Sequence, residues 1–441
     1  MLRIRGSSAK ASREKRFRYA VISSFTSKLT SAGLQIIAMP IAAISLGAHN
    51  FALYTMLMAA VGWLALSNIG IGPTMVVRLA AAHVHDDLNV ESCIFSSGFI
   101  PAFIISAIVS ITVILAVWTL PVHNIFGPLY VADEHMVQWG LTTLVAIFFL
   151  QTNLSLFEYA QAGYQEQYVQ NLVATVSSLP CILAVLIIAK LKPTPVSLIL
   201  AINVPIILFR CFNVAWIVRN HSQICPSLNF FRWSICKELV GSGAIFSLAG
   251  GGGNFLAHIL PVILIGRSFS SEISASFAVT MNAVIIASGV ISMISTPLWP
   301  AIADSVTRGD SGWARKAYRR LLLVAMTFAS LISLFLAFQG EWLFQQWFNG
   351  YINPSLNLIF AAGIYFMALC WENIHFTILI GLNKIKKASL LVCARAIFGA
   401  VLIVLFLRNG GEMIPFIMMS IAVIIVDLIP LRKLVLRALY V

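Results

Sequence analysis

About twelve long apolar segments, joined by loops too short to fold by themselves, leave this chain one environment in which to exist. They run over about 20–47, 51–72, 94–118, 137–162, 169–189 and 195–218, then about 239–266, 273–299, 321–348, 355–381, 389–407 and 412–431. Bilayer hydrocarbon is roughly 30 Å thick, so a spanning helix takes about 20 mostly apolar residues. The chain is 59% hydrophobic and 10% charged, with a mean hydropathy of +0.91. A soluble fold of that composition would lack the polar side chains to cover its surface. The runs lack the period-two alternation of a transmembrane barrel. The fold class is therefore all-α integral membrane, with about 12 transmembrane helices.

The positions of the lysines and arginines give the orientation. With the N-terminus placed in the cytoplasm, 22 of the 29 basic residues fall in cytoplasmic loops or tails. Outside lie Lys190, Lys192, Arg267 and Arg408, and within helices Lys28, Arg210 and Arg395. Basic loops resist translocation, so both termini are expected in the cytoplasm. The net charge of +13 is then topology, with attraction to anionic membrane lipids added, and no nucleic-acid partner is implied. The basic first eighteen residues read as a cytoplasmic tail rather than a transit peptide. The seven cysteines form no CxxC pair and join no histidine cluster, so no metal, cofactor or disulfide is expected. No large loop is left to carry an enzyme.

Six spans on either side of the long connection at about 219–238 suggest an N-terminal lobe over 1–220 and a C-terminal lobe over 221–441. Proline positions echo between them: Pro40 and Pro73 in the first, Pro261 and Pro297 in the second. Lobes with an even number of spans share one orientation, with a cavity expected between them.

The motifs carry a resemblance. They are Gly47-Ala48-His49-Asn50-Phe51-Ala52-Leu53-Tyr54, Asn68-Ile69-Gly70-Ile71-Gly72, Arg78-Leu79-Ala80-Ala81-Ala82 with Asp86-Asp87, Gln161-Ala162-Gly163-Tyr164, and Pro297-Leu298-Trp299-Pro300-Ala301-Ile302-Ala303-Asp304 with Gly309-Asp310. Together they resemble the multidrug/oligosaccharidyl-lipid/polysaccharide exporter superfamily, and within it the polysaccharide and O-antigen flippases. The resemblance implies a V-shaped, two-lobed alternating-access transporter in a bacterial cytoplasmic membrane. It also implies an oligosaccharide on an undecaprenyl pyrophosphate carrier as cargo, and polysaccharide-assembly proteins as possible partners.

Polar groups inside the spans need a reason, because intramembrane charge costs a few kcal/mol or more. Ser24, Lys28, Ser31 and Gln35 share one helical face, either lining a cavity with a phosphate-attracting lysine or bonding a neighbouring helix. Arg210 and Arg395 offer the guanidinium fork that fits phosphate oxygens, or each pairs with a carboxylate, Glu372 and Asp427 being the partners available in the second lobe. Arg78, at the cytoplasmic edge, is an anchor or the first cation a pyrophosphate meets. Lys28, Arg78, Arg210 and Arg395 thus form a candidate cationic cavity, with Gln35, Asn254 and His258 as candidate polar contacts to sugar. Gly250 to Gly253, with Pro261, mark a bendable or closely packed segment. Glu372 and His375, three residues apart and able to hydrogen-bond, are proton-coupling candidates together with Asp427. Glu158 reads as a boundary residue. Trp299 and Trp371 stack on sugar or sit in the interfacial belt.

The leading reading is a lipid-linked oligosaccharide flippase, possible coupling being to protons or sodium. A cation-coupled multidrug exporter of the same superfamily is the alternative. A membrane-embedded polymerase or glycosyltransferase fits less well, since the outer loops are short and Asp133-Glu134 is the one acidic pair among them.

Overall fold

The computed structural model describes residues 2–61, 70–84, 87–121, 123–247, 253, 255–295, 302, 305–306, 310–382 and 384–439. Among them there is no strand. The long helices are α1 (Leu2–Val61), α2 (Ile71–Val84), α3 (Leu88–Thr119), α4 (Glu134–Gly163), α5 (Gln167–Leu191), α6 (Pro195–Asn220) and α7 (Trp233–Ser247). They continue with α8 (Leu260–Ser268), α9 (Ser271–Ser295), α10 (Ser311–Trp347), α11 (Leu356–Gly381), α12 (Ile385–Gly410), α13 (Ile414–Ala422) and α14 (Leu428–Leu439). A helix closes its backbone hydrogen bonds within itself, which is what hydrocarbon demands.

Ten helices among the described residues are long and apolar enough to cross a membrane. The protein is thus an all-helical, multi-pass membrane protein. Two of the twelve expected spans are not separate members of that ten. The span expected at 51–72 begins inside α1, beyond Gly47, where φ of 72° breaks the helix. The span expected at 239–266 is divided between α7 and the shorter Phe255–Ser268. Both intervals include residues outside the described set.

Helix starts follow from short polar side chains that meet otherwise unpaired N–H groups. Asp87 accepts from the Val90 amide at the start of α3, and Asp310 from the Trp313 amide at the start of α10. Thr194 and Ser197 form a reciprocal capping box at the start of α6.

The described residues divide into two compact units. Unit 1 is Met1–Ser45, Trp63–Val122 and His135–Ser247; unit 2 is Leu46–Gly62, His123–Glu134 and Leu248–Val441. In unit 1, Met75, Leu79, Phe95, Phe157 and Ile217 pack α2, α3, α4 and α6 together. A side chain at Gly163 would lie 3.0 Å from the Leu79 Cβ, so glycine is what lets α4 approach α2 there. In unit 2, Phe277, Leu358, Phe366 and Phe416 form the core, and Ala325, Ala329, Ala361 and Ala362 let α10 and α11 run close together.

Candidate functional site

Unit 2 gathers its intramembrane charges around Arg395, at mid-length of α12. The guanidinium Nη2 donates to Glu372 Oε1 of α11 at 2.9 Å, and Nε lies 3.5 Å from Asp427 Oδ2. All three side chains are buried, Asp427 completely. The pairing alternative for Arg395 is therefore what the fold adopts, with both carboxylates engaged at once. Their valences do not close: Arg395 Nε and Nη1, Glu372 Oε2 and both Asp427 oxygens lack hydrogen-bond partners. With both carboxylates ionised, the cluster buries one negative charge in excess. A buried charge of that kind is balanced by a proton on one carboxylate or by a cation.

Two local departures from the α-helix supply the surroundings. Val423–Asp427, between α13 and α14, and Phe255–Ile259, just before α8, are π-helical turns. Such turns carry one extra residue and recur at functional sites. The first presents Asp427 and the second His258. Both turns pack against α12. The ring of Tyr365 lies 6.0 Å from that of His258. The Tyr365 hydroxyl and His258 Nδ1 are buried without hydrogen-bond partners.

His375 belongs to a different neighbourhood, which corrects the expected bond to Glu372. Its Nδ1 donates to the Trp371 carbonyl at 2.8 Å and its Nε2 accepts from the Tyr318 hydroxyl at 2.8 Å. Its ring stacks on Trp371 with centroids 3.8 Å apart. Three residues from Glu372 along α11, it turns toward α10 while Glu372 turns toward α12. Asn254 and Gly250 to Gly252 lie outside the described residues. Gly253 is buried, and a Cβ there would meet Val392 of α12 at 3.5 Å.

In unit 1, Arg210 of α6 pairs through Nε with Glu158 Oε1 of α4 at 3.0 Å. Glu158, read as a boundary residue, also has a partner inside the unit. The pair is one rung of a ladder. Gln151 donates to Asn203 at 2.9 Å, and Gln161 and Asn213 exchange hydrogen bonds of 2.7 and 2.8 Å. Every rung joins residues 52 apart, as two parallel helices in constant register require. That spacing of polar pairs was visible in the sequence. Arg78 pairs with Glu238 of α7, both well exposed. Lys28 is half-buried and Gln35 exposed on α1, and neither has a hydrogen-bond or ion-pair partner among the described residues.

A second buried hub lies in unit 1, at a residue that no sequence pattern marks. Glu91, fully buried in the first turn of α3, accepts from His83 Nδ1 at 3.0 Å, Tyr164 at 2.9 Å and Gln223 at 2.8 Å. His221 stacks on Tyr164, with centroids 4.3 Å apart. This carboxylate ties the ends of α2, α4 and α6 to one point. Burial and the adjacent Glu91 raise the Tyr164 phenol well above its ordinary value, so it stays protonated as a donor.

Solved structures with a similar backbone cover nearly the whole chain. An inward-facing multidrug resistance MATE family transporter of the MOP superfamily superposes with a TM-score of 0.73 at 14% identity, over 95% of this chain and 99% of the other. A MOP superfamily transporter from Pyrococcus furiosus, described as having a binding pocket of reversed polarity, gives 0.69 at 15% identity over 96% of each. An outward-facing MATE family transporter gives 0.68 at 14% identity over 95% of each. At such identities the likeness is one of fold. No curated protein matches the sequence. The polysaccharide biosynthesis protein family matches over residues 19–306, well over half of the sequence, and the chain belongs to that family.

Proposed function

We propose that the protein is a flippase for a lipid-linked oligosaccharide of the undecaprenyl pyrophosphate class. It works by alternating access between the lobes at 1–220 and 221–441, in a bacterial cytoplasmic membrane with both termini inside. Membership of a polysaccharide biosynthesis family with a transporter's fold carries the reading. The charges refine it. Arg395, Arg210 and Arg78 each face a carboxylate, whereas Lys28 is a half-buried cation with no partner among the described residues. An anionic headgroup reaching α1 therefore meets Lys28 as an available charge. Gln35, two turns further along the same face, is the neighbouring sugar contact. The surplus carboxylate beside Arg395 takes up the proton or sodium ion that drives the cycle.

A deletion strain should accumulate undecaprenyl-linked glycan, detectable by mass spectrometry, and the wild-type gene should clear it. Lys28→Gln should leave most of that glycan uncleared at normal protein level, and Lys28→Arg should restore clearance. Full clearance by Lys28→Gln would remove Lys28 from the substrate path. No accumulation in the deletion strain would remove the cargo. The second reading, a cation-coupled multidrug exporter, is favoured by the likeness to MATE family transporters and the buried Glu372 and Asp427. It requires the deletion strain to become drug-sensitive while its lipid-linked glycans stay unchanged.

A further inference from the structure

The break in α1 is followed by a polar cluster that the proposed transport reaction does not use. His49 lies two residues beyond Gly47. Its Nε2 is 2.7 Å from Asp133 Oδ2, and its Nδ1 is 3.1 Å from Ser271 Oγ. Its ring lies 5.2 Å from that of Tyr130, which is completely buried. Burial raises the Tyr130 phenol above its ordinary value, which keeps a neutral ring against the imidazole. Three stretches far apart in sequence meet here: Leu46–Gly62, His123–Glu134 and the start of α9. All belong to unit 2, although the residues flanking the first two stretches on both sides belong to unit 1.

Both borrowed stretches are seated closely. Phe51, Leu53, Met56 and Leu57 are wholly buried. Gly266 leaves no room for a Cβ beside Met56, and a Cβ at Gly127, whose φ is 98°, would lie 3.0 Å from the Arg267 carbonyl oxygen. The apolar contacts supply non-directional adhesion. The His49 cluster adds direction, since imidazole, carboxylate and hydroxyl bond only in one alignment. It is also open at one side, the His49 side chain being 46% exposed. A half-exposed polar contact of this kind is weak and reversible, which suits a contact that forms and opens repeatedly.

We propose that His49, Asp133 and Ser271 form a clasp, on the face the charge ladder places outside, that fastens residues 46–62 and 123–134 into unit 2 in one state of the cycle and opens in the other. The proposal rests on the reading of the protein as an alternating-access transporter.

The full chain in lipid nanodiscs tests the fastening without any substrate. His49→Ala and Asp133→Asn should each speed hydrogen–deuterium exchange in peptides from 46–62 and 123–134 by about fivefold, the scale of a half-exposed pair. The rest of unit 2 should not change, and the double variant should be no faster than the singles. Unchanged exchange in both single variants would overturn the clasp. Opening is tested by bridging His49→Cys with Ser271→Cys through a cleavable bifunctional thiol reagent, with the native protein treated alike. Glycan export should stop on bridging and return on reduction. Undiminished export by the bridged protein would overturn the clasp as a moving part. Absence of glycan export by the untreated native protein would strike the assigned cargo instead, and the exchange result would still decide whether the fastening exists.

Discussion

Replacing Arg395 with Gln separates a structural arginine from a substrate-binding one. The guanidinium is buried against Glu372 and Asp427, both buried as well. Its removal strands two carboxylates in a low-dielectric interior. Breaking a buried pair by deleting one partner costs about 3–5 kcal/mol, or roughly two to three and a half powers of ten in the folded-to-unfolded ratio. Arg395→Gln should therefore lower the amount of folded protein, read by fluorescence-detected size exclusion, and lower the unfolding temperature in detergent. Adding Glu372→Gln and Asp427→Asn removes the stranded charges and should recover most of the loss, because uncharged buried sets of similar volume are close to neutral in stability. Arg210→Gln is the internal comparison. Its pair with Glu158 is more open, at 27% and 13% side-chain exposure, so the loss should be nearer about 1 kcal/mol. An Arg395→Gln protein with wild-type amount and unfolding temperature, defective only in export, would refute this reasoning and return Arg395 to the substrate path.

Glu91→Ala should leave the donors of His83, Tyr164 and Gln223 without their shared acceptor and destabilise unit 1 by about 2–4 kcal/mol, seen as a lower unfolding temperature; an unchanged one would make the hub incidental. Gly127→Ala places a Cβ at φ of 98° against the Arg267 backbone and should cost about 1–3 kcal/mol, measured in the same way. Reporter fusions after Val131 and after Asn409 should report outside and one after Arg315 inside; an outside signal at Arg315 would invert the topology.

The spans were legible because hydrocarbon imposes a length and a composition on every crossing segment, and neither depends on distant residues. The break at Gly47 was legible for a related reason, since a glycine followed by His49 and Asn50 interrupts an apolar run. Which carboxylate meets which arginine was harder. Glu158 meets Arg210 because α4 and α6 run parallel with a fixed offset, and a single residue viewed within its own segment carries no trace of that register. Spacing allows His375 to reach Glu372, but three residues on a helix leave the choice of facing neighbour to tertiary packing, and His375 faces Tyr318 instead. The π turns at 255–259 and 423–427 had no compositional signal, because one residue in excess changes hydrogen bonding rather than hydropathy. Glu91 carries no sequence signal because a glutamate in the first turn of a helix is a common surface feature, and only the fold brings Tyr164 and Gln223 over it.

The π turn ending at Asp427 holds one residue more than regular α-helix would. An α-helix advances about 100° per residue. Absorbing the one surplus residue into regular α-helix would swing whatever follows it by about that angle, with little change in where the span meets either bilayer face. Asp427 stands at that junction, so its carboxylate could be turned toward Arg395 or away from it by a twist within a single helix. The same geometry holds for His258 at the other π turn. Electrostatic balance in unit 2 would then be set by the winding of two helices, like a cam on a shaft, while the bundle around them stays in place.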